Sequence, residues 1–236
     1  MSKEKNISKY KTTTFVILLF ISPILFNQYF GHLGIQPIDS FFSFNSGYDV
    51  LNGYFPFKDY WTITGPFIDL TQAIFFKIFG VSWFSYVFHA SIFNSIFSIA
   101  TFYTFYKLKL NIKYCFLYAI LLSILAYPSA GTPYVDHQSA YLSTIGVFCF
   151  ILALITENKF YWFSFPIIFA LAFFTKQTPA GYIFLILSIL SLIYFLCNFD
   201  IKKIIFLLAG LLTSFLIFFL LLKTGEIPFK LFYQQY

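Results

Sequence analysis

Long apolar runs separated by short lysine-bearing links dominate the chain. A bilayer core takes about 20 helical residues, somewhat fewer where the membrane thins. Seven segments meet that requirement: residues 12–30, 82–106, 112–126, 139–155, 160–174, 180–196 and 204–222, the third and fifth being short. An eighth apolar stretch, residues 66–79, is interrupted by Asp69, Gln72 and Lys77 and reaches only about 20 Å at 1.5 Å per residue. Pro66 at its first helical position and Gly80 just past its last predict a short helix lying at the interface. The fold class expected is therefore all-α: a polytopic membrane helical bundle of about seven spans.

The lysines test that choice, because counting residues 66–79 as a span would reverse every later segment. With seven spans, ten of the fifteen lysines fall on one side, from Lys3 to Lys11, Lys107 to Lys113, Lys159, Lys202 and Lys203. Lys58, Lys77, Lys176, Lys223 and Lys230 fall on the other. The lysine-rich side is the cytoplasmic one, so residues 1–11 form a cytoplasmic N-terminus and the first long loop, about 31–81, lies outside. The apolar stretch after Lys11 is too long for a signal h-region and is followed by more spans, so it reads as a retained anchor. Acidic residues sort in the opposite sense: Asp39, Asp49, Asp59, Asp69, Asp136 and Glu226 lie outside.

A loop of about fifty residues is too long for a mere connection. After Pro37-Ile38, the residues Phe41, Phe44, Tyr48 and Leu51 recur at spacings of three and four with polar residues between. This pattern predicts an amphipathic surface helix capped by Asp39 or Ser40, closed by Gly53, with its aromatic stripe in the headgroup zone. An aromatic turn carrying Lys58 and Asp59 follows, then the Pro66 helix.

Composition narrows the classes further. Only 10% of residues are charged, 25% are aromatic and the mean hydropathy is +0.79. A soluble domain carries roughly a quarter charged residues, so this is an integral membrane protein. The net charge of +6 is scattered as short lysine groups without arginine, which excludes a nucleic-acid binder. Cys115, Cys149 and Cys197 have neither metal-ligand nor redox spacing and are expected to pack in the core. His89 and Asn94, inside the second span, are expected to face other helices. Trp61, Trp83 and Trp162 read as interfacial belt residues.

The first span, the outer Asp39 at the start of a surface helix, the Gly53-Tyr54-x-Pro56-x-x-Asp59 turn, Gly65-Pro66 opening a second surface helix and Phe79-Gly80-x-Ser82 before the second span follow in a set order. Together they resemble the GT-C superfamily of membrane glycosyltransferases, which includes protein mannosyltransferase-like, aminoarabinose transferase-like and Rgt-type bacterial enzymes. The likeness covers residues 11–113 in detail, and beyond them Asp136-His137 and Thr175-Lys176-Gln177-Thr178-Pro179. It implies an enzyme that moves a sugar, with inversion, from a polyprenyl-phosphate carrier to a glycan, lipid or protein acceptor on the outer, periplasmic face. Relatives are usually about twice as long, which implies that residues 12–236 are a GT-C-like domain truncated at its C-terminus.

The resemblance places the catalytic base at Asp39, although many members carry a second acidic residue where this chain has Ser40. The bland reading of Asp39 is a helix cap. Asp136 and His137 at the mouth of the fourth span are candidates for acceptor binding, or with Asp39 for a divalent metal ion; capping and an interfacial role are their structural alternatives. Lys176, on the lysine-poor side, suits a carrier phosphate, with Gln177 adding a hydrogen bond, against simple snorkelling. Lys58, Asp59 and Glu226 complete the candidate substrate-binding residues. Two rival classes remain: a transporter or flippase for a lipid-linked substrate, which would need charged or broken-helix features at the midplane, and a non-catalytic membrane subunit. The outer face is periplasmic or an organelle lumen; abundant lysine, phenylalanine and isoleucine without arginine suit an AT-rich, bacterial genome, for which the inner membrane is the expected location.

Overall fold

A computed structural model describes residues 2–35, 39–126 and 131–236, with side chains from Tyr10 onward. Pro37-Ile38 and the side chains of Lys3, Lys5 and Lys9 lie outside the described residues. Among the described residues the chain forms ten α-helices and no strand: α1 Ser2–Gly31, α2 Phe42–Leu51, α3 Phe67–Phe79, α4 Trp83–Lys107, α5 Ile112–Leu125, α6 Val135–Ile155, α7 Phe160–Phe173, α8 Gln177–Cys197, α9 Ile201–Thr224 and α10 Phe229–Gln235.

Each of the seven segments expected to span is a helix, and both loop helices are present. Four helical segments are long and apolar enough to cross a membrane: Tyr10–Gly31, Val135–Ile155, Gln177–Cys197 and Ile201–Thr224. Helices α5 and α7 are apolar but only 14 residues long. Helix α4 has 25 residues, and its buried face is rich in polar side chains, among them His89, Ser91, Asn94, Ser95, Ser98 and Thr101.

Side-chain contacts show how these helices alternate. Trp83 Nε1 donates to the Gly31 carbonyl at 2.7 Å, and Ser95 Oγ to that of Phe20 at 2.8 Å, so α1 and α4 run antiparallel. Asn94 reaches Ser123 O and Ser98 reaches Ala119 O, which sets α5 antiparallel to α4. Phe150 packs on Trp162 and Ser139 on Ala172 O, turning α7 back along α6. Gly210 lets α9 approach α7 closely, since a Cβ there would meet Phe163 O at 2.2 Å.

The largest apolar cluster holds α6, α7 and α8 together through Phe150, Ala153, Trp162, Phe165, Phe169 and Leu187, and a second joins α1, α4 and α5 through Leu19, Phe102, Cys115 and Ala119. Polar groups between helices are satisfied mainly by carbonyls one turn back or on a neighbour, which is how buried hydroxyls and amides are accommodated where water is absent. Asn94 fits that expectation, and His89 finds its partner on α3.

Several details differ from the sequence reading. Helix α2 is capped by Phe41 without any side-chain hydrogen bond, so neither Asp39 nor Ser40 is its cap. Its buried face is the small one, Ser43, Ser46 and Gly47, laid against α3; a Cβ on Gly47 would meet Gln72 Cγ at 2.5 Å. The aromatic residues flank that face, and Phe44 turns in to contact Phe76 and Tyr86. Pro66 is the cap of α3 rather than its first residue, and Gly80 closes the helix with φ +81°, as its position past the end predicts. Trp162 is wholly buried in the α6–α7–α8 cluster rather than in an interfacial belt, because aromatic residues from three helices surround it. Cys197 is exposed and does not pack in the core.

Candidate functional site at the outer end of the bundle

The segments assigned to the outer side meet at one end of the bundle. Gly65 N donates to Thr175 O at 3.1 Å and Phe67 N to Phe174 O at 2.9 Å, docking the first loop onto the α7–α8 junction. The contact needs glycine: a Cβ on Gly65 would sit 1.8 Å from the Phe174 carbonyl oxygen. This gives the Gly-Pro pair a physical role, the glycine permitting backbone-to-backbone contact and the proline starting α3. At the other end Lys203 lies between Glu157 and Asp200 at 3.7 and 3.9 Å, and Tyr103 OH meets Tyr161 OH at 2.8 Å. The lysine-rich links therefore gather opposite the first loop.

Four candidate charges pair up at the outer end. Lys176 forms an ion pair with Asp136, joining the start of α8 to the first turn of α6. Both side chains keep contact with solvent, at 31% and 47% exposure, so the bridge is open to exchange with another anion. Ser139 Oγ donates to the carbonyls of Ala172 and Lys176, each at 3.1 Å, fixing the backbone beneath the pair. Lys58 reaches Glu226 at 3.0 Å across 168 residues of chain. Gln177 Nε2 donates to the carbonyl of Tyr236 at 3.1 Å and approaches that of Ile63 at 3.4 Å. Asp59 turns inward to its own loop, accepting from Phe55 N at 2.8 Å.

Beside this end lies an apolar cavity of about 580 Å³ between α7, α8, α9 and α10. Phe169, Phe173, Phe184, Phe215, Phe218 and Phe232 line it, together with Gly181 and Pro166. Its volume is within the range of small-molecule sites, yet its walls are almost wholly hydrocarbon, which suits an apolar chain rather than a polar metabolite. Lys176 does not line the cavity; it lies along the chain between two residues that do, Phe174 and Ala180.

Asp69 was legible only as an interruption of an apolar run, and it proves to be the most buried carboxylate of the outer end. It is fully buried and accepts from Ser46 Oγ at 2.6 Å and Tyr60 OH at 2.9 Å. Burial pushes its carboxyl up to about 6, a rise opposed by those two hydroxyls. The Tyr60 phenol is likewise raised, by burial first and by the adjacent Asp69 second. One turn on, Gln72 Oε1 accepts from His89 Nδ1 at 2.8 Å, tying α3 to α4. These groups clamp α2, the aromatic turn, α3 and α4 to one another. The polar pair Asp69 and Gln72, three apart on an apolar helix, was the one signal of a shared buried face.

Asp39 is exposed, and among the described residues its carboxylate has no hydrogen-bond or ion-pair partner. The neighbouring Phe41 ring packs on Trp83 at 5.7 Å, which fixes the turn to the mouth of α4. Asp136 is the second residue of α6, after a Tyr134 cap. His137 rests against the rings of Tyr134 and Tyr141 with its Nδ1 buried and unpaired. No three His, Cys, Asp or Glu side chains assemble as a metal-binding group among the described residues. Asp136, one of the candidate metal ligands, is instead held by the Lys176 ammonium. Comparison with family models, curated proteins and solved structures finds no match to this chain.

Proposed function

We propose that the chain is a seven-span inner-membrane glycosyltransferase of the GT-C type, with a cytoplasmic N-terminus, that transfers a sugar from a polyprenyl-phosphate carrier at its outer end. The observation that carries this reading is the apolar cavity whose walls include Phe174 and Ala180, the residues that flank the Lys176 segment along the chain. A polyprenyl phosphate has the same division, a long hydrocarbon joined to an anion, and so can use both parts of the site. The carrier chain occupies the cavity, and its phosphate takes Lys176 from Asp136, exchanging one charge-assisted bond for another. Gln177 stands beside the same phosphate.

In this reading the acceptor hydroxyl attacks the anomeric carbon, the bond from that carbon to the phosphate oxygen breaks, and the phosphate leaves with the bonding electrons. Asp39 takes the hydroxyl proton. An exposed carboxylate with no partner among the described residues is available for that work, whereas the buried, doubly hydrogen-bonded Asp69 is not. No step is routed through a metal ion.

The transporter reading draws on one observation: Asn27, His89, Asn94 and Gln138 each carry a buried polar atom without a partner among the described residues. Against it, the described charged side chains sit near helix ends or in loops, or, for Lys11 of α1, just ahead of the apolar run. Photo-crosslinking with a diazirine-bearing polyprenyl phosphate tests the proposal. Labelling should fall on the walls of α7, α8 and α9, around Phe173, Phe184 and Phe215, and should drop about ten-fold in Lys176→Gln. Labelling spread over the lipid-facing surface, equal in both proteins, would sink it.

A further inference from the structure

Helix α10 touches two parts of the outer end at once. The Phe232 ring lies 5.0 Å from Phe218 in the cavity wall and 5.0 Å from Phe57 in the first loop. Gln235 bridges to that loop, its Nε2 donating to Phe57 O at 3.0 Å and its Oε1 accepting from Thr62 N at 3.2 Å. Tyr236 closes the other side: its ring packs 5.5 Å from Phe173, its hydroxyl donates to Phe173 O, and its carbonyl takes the Gln177 bond. Phe229 and Phe232 complete the cavity lining.

The attachment is light. None of the residues of α10 is fully buried, and Phe229 and Tyr233 are 63% and 78% exposed. An element with few buried contacts opens at low cost. Its base and its landing point are also the strained places of this end. Glu226, in the link from α9, has φ +50°, and Phe57, on which α10 rests, has φ +68° while being 1% exposed. Non-glycine residues hold such a conformation only where the surroundings enforce it. The Lys58–Glu226 bridge joins the two strained segments directly.

We infer that α10 is a hinged lid over the rim of the cavity, latched to the first loop by Gln235 and Phe57, which opens to admit an amphiphilic lipid from the bilayer and closes over its head. The inference rests on the reading of the cavity as a lipid site. It adds that entry is gated, and that the first loop senses closure through Phe57 and Lys58. Closed, α10 brings Tyr236 onto Gln177, the residue after Lys176, so an arriving headgroup is shielded from water on that side.

Spin-label distances read the lid itself. Nitroxides at Tyr54→Cys in the loop and Lys230→Cys in α10, in a background lacking Cys115, Cys149 and Cys197, are measured in nanodiscs by double electron–electron resonance. A short and a long distance are expected, with the long population rising about ten-fold in Gln235→Ala and collapsing to the short one when polyprenyl phosphate is added. Gln235→Asn, whose amide is one methylene short, gives the same opening should the alanine variant fail to fold. A single short distance in every protein and lipid condition would overturn the lid. Opening that responds to Gln235 but not to polyprenyl phosphate keeps the lid and removes the carrier reading instead.

Discussion

Replacing Gly65 with alanine probes the contact that sets the outer end. The added Cβ would lie 1.8 Å from Phe174 O, 2.1 Å from Phe174 C and 2.7 Å from its Cα. All three are backbone atoms, so no side-chain rotation relieves the clash, and the loop must withdraw by more than about 1 Å to reach a tolerable separation. Withdrawal breaks the Gly65–Thr175 and Phe67–Phe174 hydrogen bonds, each contributing about 1 kcal/mol net. With the overpacking term the local cost comes to about 3 kcal/mol. Hydrogen–deuterium exchange followed by mass spectrometry reads this as roughly 100-fold faster exchange of the two donor amides, those of residue 65 and Phe67. Gly34→Ala serves as control, since no atom of the described residues lies within 4 Å of a Cβ there. Equal protection of those amides in Gly65→Ala and the parent chain would refute the docking of the loop onto α7.

Two other predictions follow from buried groups. Because burial lifts the Asp69 carboxyl from 3.8 to about 6, the folded protein keeps a proton that the unfolded chain loses between those values. Stability of the α2–α3 unit should therefore fall as pH rises from about 4 to about 6 and level off above, by about 3 kcal/mol at most, and Asp69→Asn should flatten that slope in thermal unfolding at stepped pH. A slope unchanged by Asp69→Asn would show that another group titrates. In the membrane-embedded half, Gly210→Val places a side chain against Phe163 O and Pro166 Cγ, 2.2 and 2.7 Å from a Cβ. It should lower the unfolding temperature by several degrees, whereas Gly34→Ala should leave it within about one degree.

The helices were legible because membrane crossing imposes a length and composition that survive without any tertiary knowledge. Lysine placement then sorted the links, and the chain ends of the helices do meet as two groups, Lys203 with Glu157 at one end and Lys58 with Glu226 at the other. The reading failed where contact depends on residues distant in sequence. Asp69 looked like a blemish on an apolar helix because its donors, Ser46 and Tyr60, come from 23 and 9 residues away. The amphipathic pattern of α2 named its aromatic residues, of which Phe41 and Tyr48 are exposed, but did not reveal that Ser43, Ser46 and Gly47 form the face against α3, since serine and glycine pack closest where two short helices cross. Lys176 and Asp136 were singled out separately, and no spacing rule could have joined them across 40 residues. The cavity is made by α7, α8, α9 and α10 jointly and has no linear signature at all.

The central claim is that Asp39 performs sugar transfer from a lipid-linked donor. The direct measurement is release of polyprenyl phosphate by protein in sealed vesicles supplied with a panel of polyprenyl-phosphate sugars and acceptor extract from the outer face. The parent chain should release it with at least one donor, Asp39→Asn should reduce the rate about 100-fold or more while leaving carrier crosslinking intact, and Lys176→Gln should weaken both. Full release by Asp39→Asn, or none by the parent chain with any donor despite carrier bound in the cavity, would contradict it.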